Sequence, residues 1–301
     1  FQNREANQYK YDKVKDDLTE IFDDIAKITG VKYSPFEYYG NQNAENVIVA
    51  IGSSCQTIEE YIDNNKDCSL GLIKVRLYRP FYAEEFLKTL PSSCKVITVL
   101  DRTKENGATN PLALDVMSAV LKSGKNINVL SGRYGLGGKD FTPACVNAIV
   151  NNMKQEQKDN FTVGINDDKS HSSLPLEHYE YNTAMTEIKI FGLGSDGSVS
   201  ASKSTVKILG EKYNKEIQGY FEYDSKKSGS MTISHLRLSD SKIKSEYLIE
   251  NANVISINNF SFVPRYDCLK GLKENGVVLI NSIFDSDEIG KVLPIAYVKK
   301  L

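Results

Sequence analysis

Two runs of this chain have the residue types and spacing to do chemistry. In Glu187-Ile188-Lys189-Ile190-Phe191-Gly192-Leu193-Gly194-Ser195-Asp196-Gly197-Ser198-Val199, an apolar alternation leads into a Gly-x-Gly-x-x-Gly turn. A strand, such a turn and then a helix bring backbone N–H groups up to a phosphate, because the first amides of a helix have no partner inside it. In this reading Gly192 permits the tight turn, Gly194 lets a diphosphate approach without a Cβ in its way, and Gly197 lets the helix pack closely on the strand. Ser195, Asp196 and Ser198 crowd the helix N-terminus, where orphan amides need acceptors. Gly-rich turns that bind nothing share the same spacing. The second run narrows the choice. After a strand over 217–222, a NAD site would offer a lone acid to the ribose; here Asp224 is followed by Lys226 and Lys227. Ammonium groups beside a diphosphate turn favour a ligand with a further phosphate, NADP or coenzyme A, over NAD, the alternative being a solvated basic turn. The candidate cofactor-binding residues are therefore Gly194, Ser195, Asp196, Gly197, Ser198 and Val199 with Lys226 and Lys227.

Other candidates fail on residue type. The run Gly132-Arg133-Tyr134-Gly135-Leu136-Gly137-Gly138-Lys139-Asp140 has Arg133 where a nucleotide-hydrolase loop needs its first Gly, and Asp140 in place of the Mg-binding Ser or Thr. Gly52-Ser53-Ser54-Cys55-Gln56 has Gln56 at the last Gly of a nucleophile elbow. Both read as turns and caps. The five cysteines form no C-x-x-C pair, and His171, His178 and His235 are too far apart to suggest a metal cluster. His235 reads as a structural residue of a strand or loop. No catalytic residue and no metal ligand is expected.

A length of 301 residues allows two domains, and 41% hydrophobic with 25% charged residues is the balance of a soluble globular protein. A net charge of −2 argues against a nucleic acid or an anionic membrane as the main partner. No apolar run approaches the roughly 20 residues of a membrane span. Dispersed cysteines point to reduced thiols and a cytoplasmic setting. The chain opens on Phe1 with no signal-peptide character, so it reads as a piece of something longer.

The elements that must position these residues follow from periodicity. An amphipathic helix covers 8–28. Strands at 47–51, 70–75, 96–100 and 127–130 alternate with helices at 56–64, 84–90, 111–122 and 142–153, the rhythm of a parallel sheet. Polar stretches at 154–160 and 166–173 break it. A second α/β unit begins at Glu187, with later strands at 253–258 and 277–280, a helix at 264–273 between them, and a final strand at 295–298 that leaves the unit looking truncated. The expected fold class is α/β, with two doubly wound, mostly parallel-sheet domains. The expected division is 1–40 as a linker helix, 41–155 as the first domain, 156–185 as the connection and 186–301 as the second.

Five runs, Gln2-Asn3-Arg4-Glu5-Ala6, Tyr78-Arg79-Pro80-Phe81, Leu100-Asp101-Arg102-Thr103-Lys104-Glu105, 132–137 and 219–229, together resemble the pyruvate:ferredoxin oxidoreductase family in order along the chain. The resemblance implies that 41–155 is a domain similar to the C-terminal domain of transketolases, preceded over 1–40 by the tail of another domain. It implies that 186–301 is the start of a Rossmann-like gamma domain that binds coenzyme A. It further implies pyruvate decarboxylation on thiamine diphosphate with Mg²⁺, electron transfer through 4Fe–4S clusters to ferredoxin or flavodoxin, release of acetyl-CoA, and a homodimer at full length. Thiamine diphosphate, Mg²⁺ and the clusters would belong to parts of the enzyme outside these residues. The chain is expected to supply structural and coenzyme A-binding portions and to be inactive alone. A pyruvate:NADP oxidoreductase fusion and a non-catalytic scaffold, as in fungal assimilatory sulfite reductases, are the alternatives. A cytoplasmic enzyme is implied, with a hydrogenosome-like organelle open for a protist source.

Overall fold

The computed structural model describes residues 1–165, 169–179, 184–223 and 230–300. Asp224, Lys226 and Lys227 lie outside the described residues. The chain forms two compact units, one of Phe1–Tyr181 with Lys244–Tyr247, the other of Asn182–Ile243 with Leu248–Leu301.

The first unit opens with α1 (Gln2–Glu5) and α2 (Gln8–Thr29), then runs β1 (Phe36–Gly40), β2 (Asn46–Ala50), α3 (Ser54–Asn64), β3 (Leu70–Val75), α4 (Ala83–Thr89), β4 (Val96–Asp101), α5 (Pro111–Ser123), β5 (Asn128–Arg133), α6 (Pro143–Lys154) and β6 (Phe161–Thr162). The strands form one sheet in the order β1-β3-β2-β4-β5-β6, parallel except where β1 meets β3. Strands buried on both faces read as unbroken apolar runs, which is why the rhythm of Val47 to Ala50 and Val96 to Leu100 is so plain. One face packs Ile48, Leu72 and Leu130 against Ile58 of α3 and Ile149 of α6. The other packs Val49, Ile73 and Val99 against Phe86 of α4 and Val116 of α5. The end of β4 also starts α5: the Asp101 carboxylate accepts the N–H groups of Leu112 and Ala113, both at 3.2 Å.

Two strands of this sheet escape periodicity. β1 is rich in tyrosine, and it fits because Gly71 opposite leaves room for Tyr38; a Cβ on Gly71 would stand 2.2 Å from the phenol oxygen. β6 is two residues long, and its Phe161 ring covers Gly132 of β5. The polar residues beyond it stay with this unit: Leu174 N–H donates to Thr162 O, and Tyr179 lies 5.4 Å from the Tyr61 ring. Lys244–Tyr247 completes the unit. Glu60 of α3, only 6% exposed, accepts from Ser245 Oγ at 2.5 Å and Tyr247 OH at 3.0 Å.

The second unit runs β7 (Thr186–Leu193), α7 (Ser198–Tyr213), β8 (Glu216–Tyr223), β9 (Met231–Ser239), β10 (Ala252–Ile257), β11 (Leu272–Ile280), α8 (Ser286–Val292) and α9 (Ile295–Val298). Its sheet order is β11-β10-β7-β9-β8. β11, β10 and β7 are parallel, whereas β9 is antiparallel to both β7 and β8. The strand after the glycine turn is therefore not the neighbour of β7, because β9 folds back between them.

Two expected elements are absent. Residues 264–271 form turns instead of the expected helix, and residues 272–273 open β11. Buried Val263, Cys268 and Leu269 anchor the segment, and Tyr297 OH accepts Cys268 N–H and donates to Tyr266 O, which satisfies backbone that a helix would have paired internally. Residues 295–298 form α9 rather than a strand. Pro294 precedes this turn of helix, and Tyr297 is its buried residue. Among the described residues, no helix is long and apolar enough to cross a membrane.

Candidate functional site

β7 delivers the glycine turn to one end of the second sheet. Its last residues pair with the start of β9, Leu193 opposite Met231 and Gly192 opposite Thr232, while Tyr223 at the end of β8 also faces Thr232. The flanks of 224–229, the segment that holds Asp224, Lys226 and Lys227, thus sit at the same sheet end as the turn. α7 leaves from there and lies across β8, with Val206 against Gly219 and the Lys203 ammonium 5.4 Å from the Phe221 ring centroid.

The turn is shaped by its own polar groups. Leu193 N–H donates to Asp196 Oδ2 at 2.7 Å and Ser198 N–H to Asp196 Oδ1 at 2.8 Å. Asp196 N–H donates to Leu193 O, and Gly194 N–H to Ser230 O at 2.8 Å. Burial opposes the charge on Asp196, but the hydrogen bonds it accepts from Ser198 and Leu193 outweigh it and hold the carboxyl below the usual range. Ser195 and Gly197 have φ of 74° and 87°, the left-handed region.

Two glycines have different roles from those the spacing suggests. A Cβ on Gly197 would meet open space, so its value lies in its positive φ at the α7 cap. Close packing falls to Gly192, where a Cβ would stand 1.9 Å from Ser198 Oγ and 3.1 Å from Asp196 Oδ2. The described candidates, Gly194, Ser195, Asp196, Gly197, Ser198 and Val199, are contiguous in this turn and the start of α7.

The same sheet carries polar groups that the sequence analysis did not single out. Glu187, 8% exposed, accepts from Arg237 Nε at 3.0 Å and from Lys273 Nζ at 2.9 Å. Arg237 also donates to Gln218 Oε1. His235 Nδ1 accepts from Ile249 N–H at 3.2 Å, which leaves the proton on Nε2, 2.7 Å from Glu222 Oε2. Burial pushes the His235 imidazole below its usual range, and Lys189 and Arg237 add to this against the pull of Glu222. The signal for this cluster was two titratable residues at alternate positions of each strand, Glu187 and Lys189 in β7 and His235 and Arg237 in β9, with Glu187 directly opposite Arg237. Among the described residues, no three of His, Cys, Asp and Glu converge closely enough to hold a metal ion.

In the first unit the two rejected motifs are a turn and a helix start. Gly135 and Gly137 both have φ of 63°, and Ser54 opens α3 with its Oγ 3.1 Å from Tyr134 OH.

Residues 44–146 match the family model described as pyruvate:ferredoxin oxidoreductase core domain II, and residues 187–300 match pyruvate ferredoxin/flavodoxin oxidoreductase. The pyruvate:ferredoxin oxidoreductase of Moorella thermoacetica is 47% identical over 98% of this chain, which covers 26% of that protein. The probable pyruvate-flavodoxin oxidoreductase of Escherichia coli is 44% identical, again over 98% of this chain and 26% of the relative. A pyruvate dehydrogenase [NADP(+)] of Cryptosporidium parvum is 41% identical over 98% of this chain and 16% of its own length. The chain thus spans about a quarter, or less, of the curated relatives it matches. With both units matched in order and the identity running through almost all of it, the chain belongs to the pyruvate:ferredoxin (flavodoxin) oxidoreductase family.

Proposed function

We propose that this chain serves an enzyme that oxidatively decarboxylates pyruvate with coenzyme A to acetyl-CoA and CO₂, passing electrons through 4Fe–4S clusters to ferredoxin or flavodoxin. The observation that carries this is the identity of 47% to a pyruvate:ferredoxin oxidoreductase over 98% of the chain. The chain contributes the framework of its first unit and part of a coenzyme A site in its second. Thiamine diphosphate, Mg²⁺ and the clusters are held by other parts of the enzyme, a homodimer that works in the cytoplasm. The NADP-linked relative supports a second reading, in which the same two units precede a different electron acceptor.

The coenzyme A site comprises Gly194, Ser195, Asp196, Gly197, Ser198 and Val199 with Lys226 and Lys227. Amides at the start of α7 act as fixed donors, and the lysine ammonium groups neutralise phosphate charge as point charges. Replacing both lysines by alanine in the full-length enzyme should weaken coenzyme A binding by roughly 1–3 kcal/mol, the size of one or two charge-assisted hydrogen bonds. Calorimetry of coenzyme A binding is the measurement, with pyruvate decarboxylation followed separately. Unchanged affinity in the double variant would remove these lysines from the site.

A further inference from the structure

One row of residues crosses the second sheet at its glycine-turn end, and packing alone does not explain its composition. Gly192 of β7 is opposite Thr232 of β9, and Thr232 is opposite Tyr223 of β8. Residues directly opposite share a face of the sheet. Here that face is the one under α7, because Gly192 lies against Ser198. β8 gives the same answer: Gly219 lies against Val206 and Phe221 beneath Lys203, and Tyr223 is the next residue on that face. Each such step along β8 moves about one turn back along α7, so Tyr223 stands beside the first turn of the helix.

Two observations on this row point to a ligand. The first is polar. Ser198 and Thr232 are 7% and 4% exposed, and neither hydroxyl has a hydrogen-bond partner among the described residues. Most buried hydroxyls are paired, and an apolar side chain would fill the same space without the cost of an orphan. Both lie on the path from the start of α7 to Tyr223. The second observation is aromatic. Tyr223 is 61% exposed on an edge strand, whereas Phe221 on the same face lies under the Lys203 ammonium. From Gly192 to Tyr223 is two strand spacings, about 10 Å, a span that the ribose between a diphosphate and its base can bridge. A base laid on the phenol ring would take apolar surface of both partners out of water, and stacking of this kind needs no matched hydrogen-bond pattern.

We propose, on the reading that this turn forms part of a coenzyme A site, that Tyr223 is the platform on which the adenine of coenzyme A stacks. The first amides of α7 take the diphosphate, the hydroxyls of Ser198 and Thr232 supply donors along the row, and the Tyr223 ring holds the base. The site thereby selects a nucleotide end over a bare phosphate.

The test uses the full-length enzyme with Tyr223→Leu and Tyr223→Phe, and three probes: coenzyme A, its adenosine bisphosphate half and its phosphopantetheine half. The ring is exposed, so both variants should unfold at the temperature of the parent. Calorimetry should show Tyr223→Leu binding coenzyme A and adenosine bisphosphate about tenfold or more weakly than the parent, within the range of one lost base stack. Tyr223→Phe keeps the ring and should bind both as the parent does. Phosphopantetheine should behave alike with all three proteins. Unchanged coenzyme A affinity in Tyr223→Leu overturns the proposal, and so does an equal loss of phosphopantetheine, which would mark a structural role. If Tyr223→Leu does not fold, Tyr223→Thr, which also suits a strand, carries the same comparison. A parent that binds no coenzyme A would remove the coenzyme A reading and this proposal with it. A parent that binds it, beside a Leu variant that binds it equally well, removes the proposal alone.

Discussion

His235 is neutral in the folded chain because both of its ring nitrogens are used in the neutral form, one accepting from Ile249 and the other donating to Glu222. Its folded pKa is depressed, so the unfolded chain, with a value near 6.5, takes up a proton that the folded chain refuses. Stability from this site is complete above that value, falls as pH drops through it, and is lost once pH is below the folded value. The second unit should therefore unfold at progressively lower temperature from pH 7 towards pH 5, and His235→Gln should flatten that slope. Calorimetric scans across the range check it, and equal slopes in both chains would assign the acid sensitivity elsewhere. Glu60 makes a different prediction. Glu60→Ala removes the acceptor used by Ser245 and Tyr247 in a buried setting, which should cost about 2–3 kcal/mol in the unfolding of the first unit. Glu60→Gln, which keeps one acceptor oxygen, should cost less.

Among the elements, contacts between strands matter as much as the strands themselves. Gly132 of β5 faces Phe161 of β6, and a Cβ there would come within 2.4 Å of a fully buried ring. Gly132→Ala should destabilise the first unit by roughly 1–3 kcal/mol, the usual cost of overfilling a packed core. Adding Phe161→Leu should recover part of it, and urea unfolding of the single and double variants reads the difference. The parallel strands of this unit were legible from sequence because burial on two faces leaves continuous apolar runs. β1 and β6 were not, since one rests on a tyrosine seated over Gly71 and the other is only two residues long, with its Phe161 ring buried over Gly132. In the second unit each of β7, β8, β10 and β11 could be read locally, but strand order is a non-local property. Nothing in 217–222 announces that β9 will come between it and β7. The segment 264–273 has helix-compatible residues, yet a distant phenol, Tyr297, satisfies its backbone in another shape. The glycine turn was visible as a motif. The inward use of Asp196 was not, because an acid near a helix start looks the same in sequence whether it faces solvent or accepts the amides of its own turn.

For the whole molecule, the chain of 301 residues should show no pyruvate-dependent reduction of ferredoxin or of a dye, even with thiamine diphosphate, Mg²⁺ and coenzyme A supplied. Measurable turnover by the purified chain would overturn the division of labour proposed above. Limited proteolysis offers a second check. Leu174 is buried and the strand at 161–162 is paired, so cleavage at Phe161–Val163 and at Leu174 should be slow despite the polar composition around them. Finally, the first unit is discontinuous: Lys244–Tyr247 belongs to it, yet residues 182–243 are made in between. During synthesis, at about 5–20 residues per second, the sheet of the first unit emerges seconds before the hydroxyls that cover Glu60. Until then a carboxylate destined for burial stays wet, and the unit waits, unfinished, for a distant stretch of its own polypeptide.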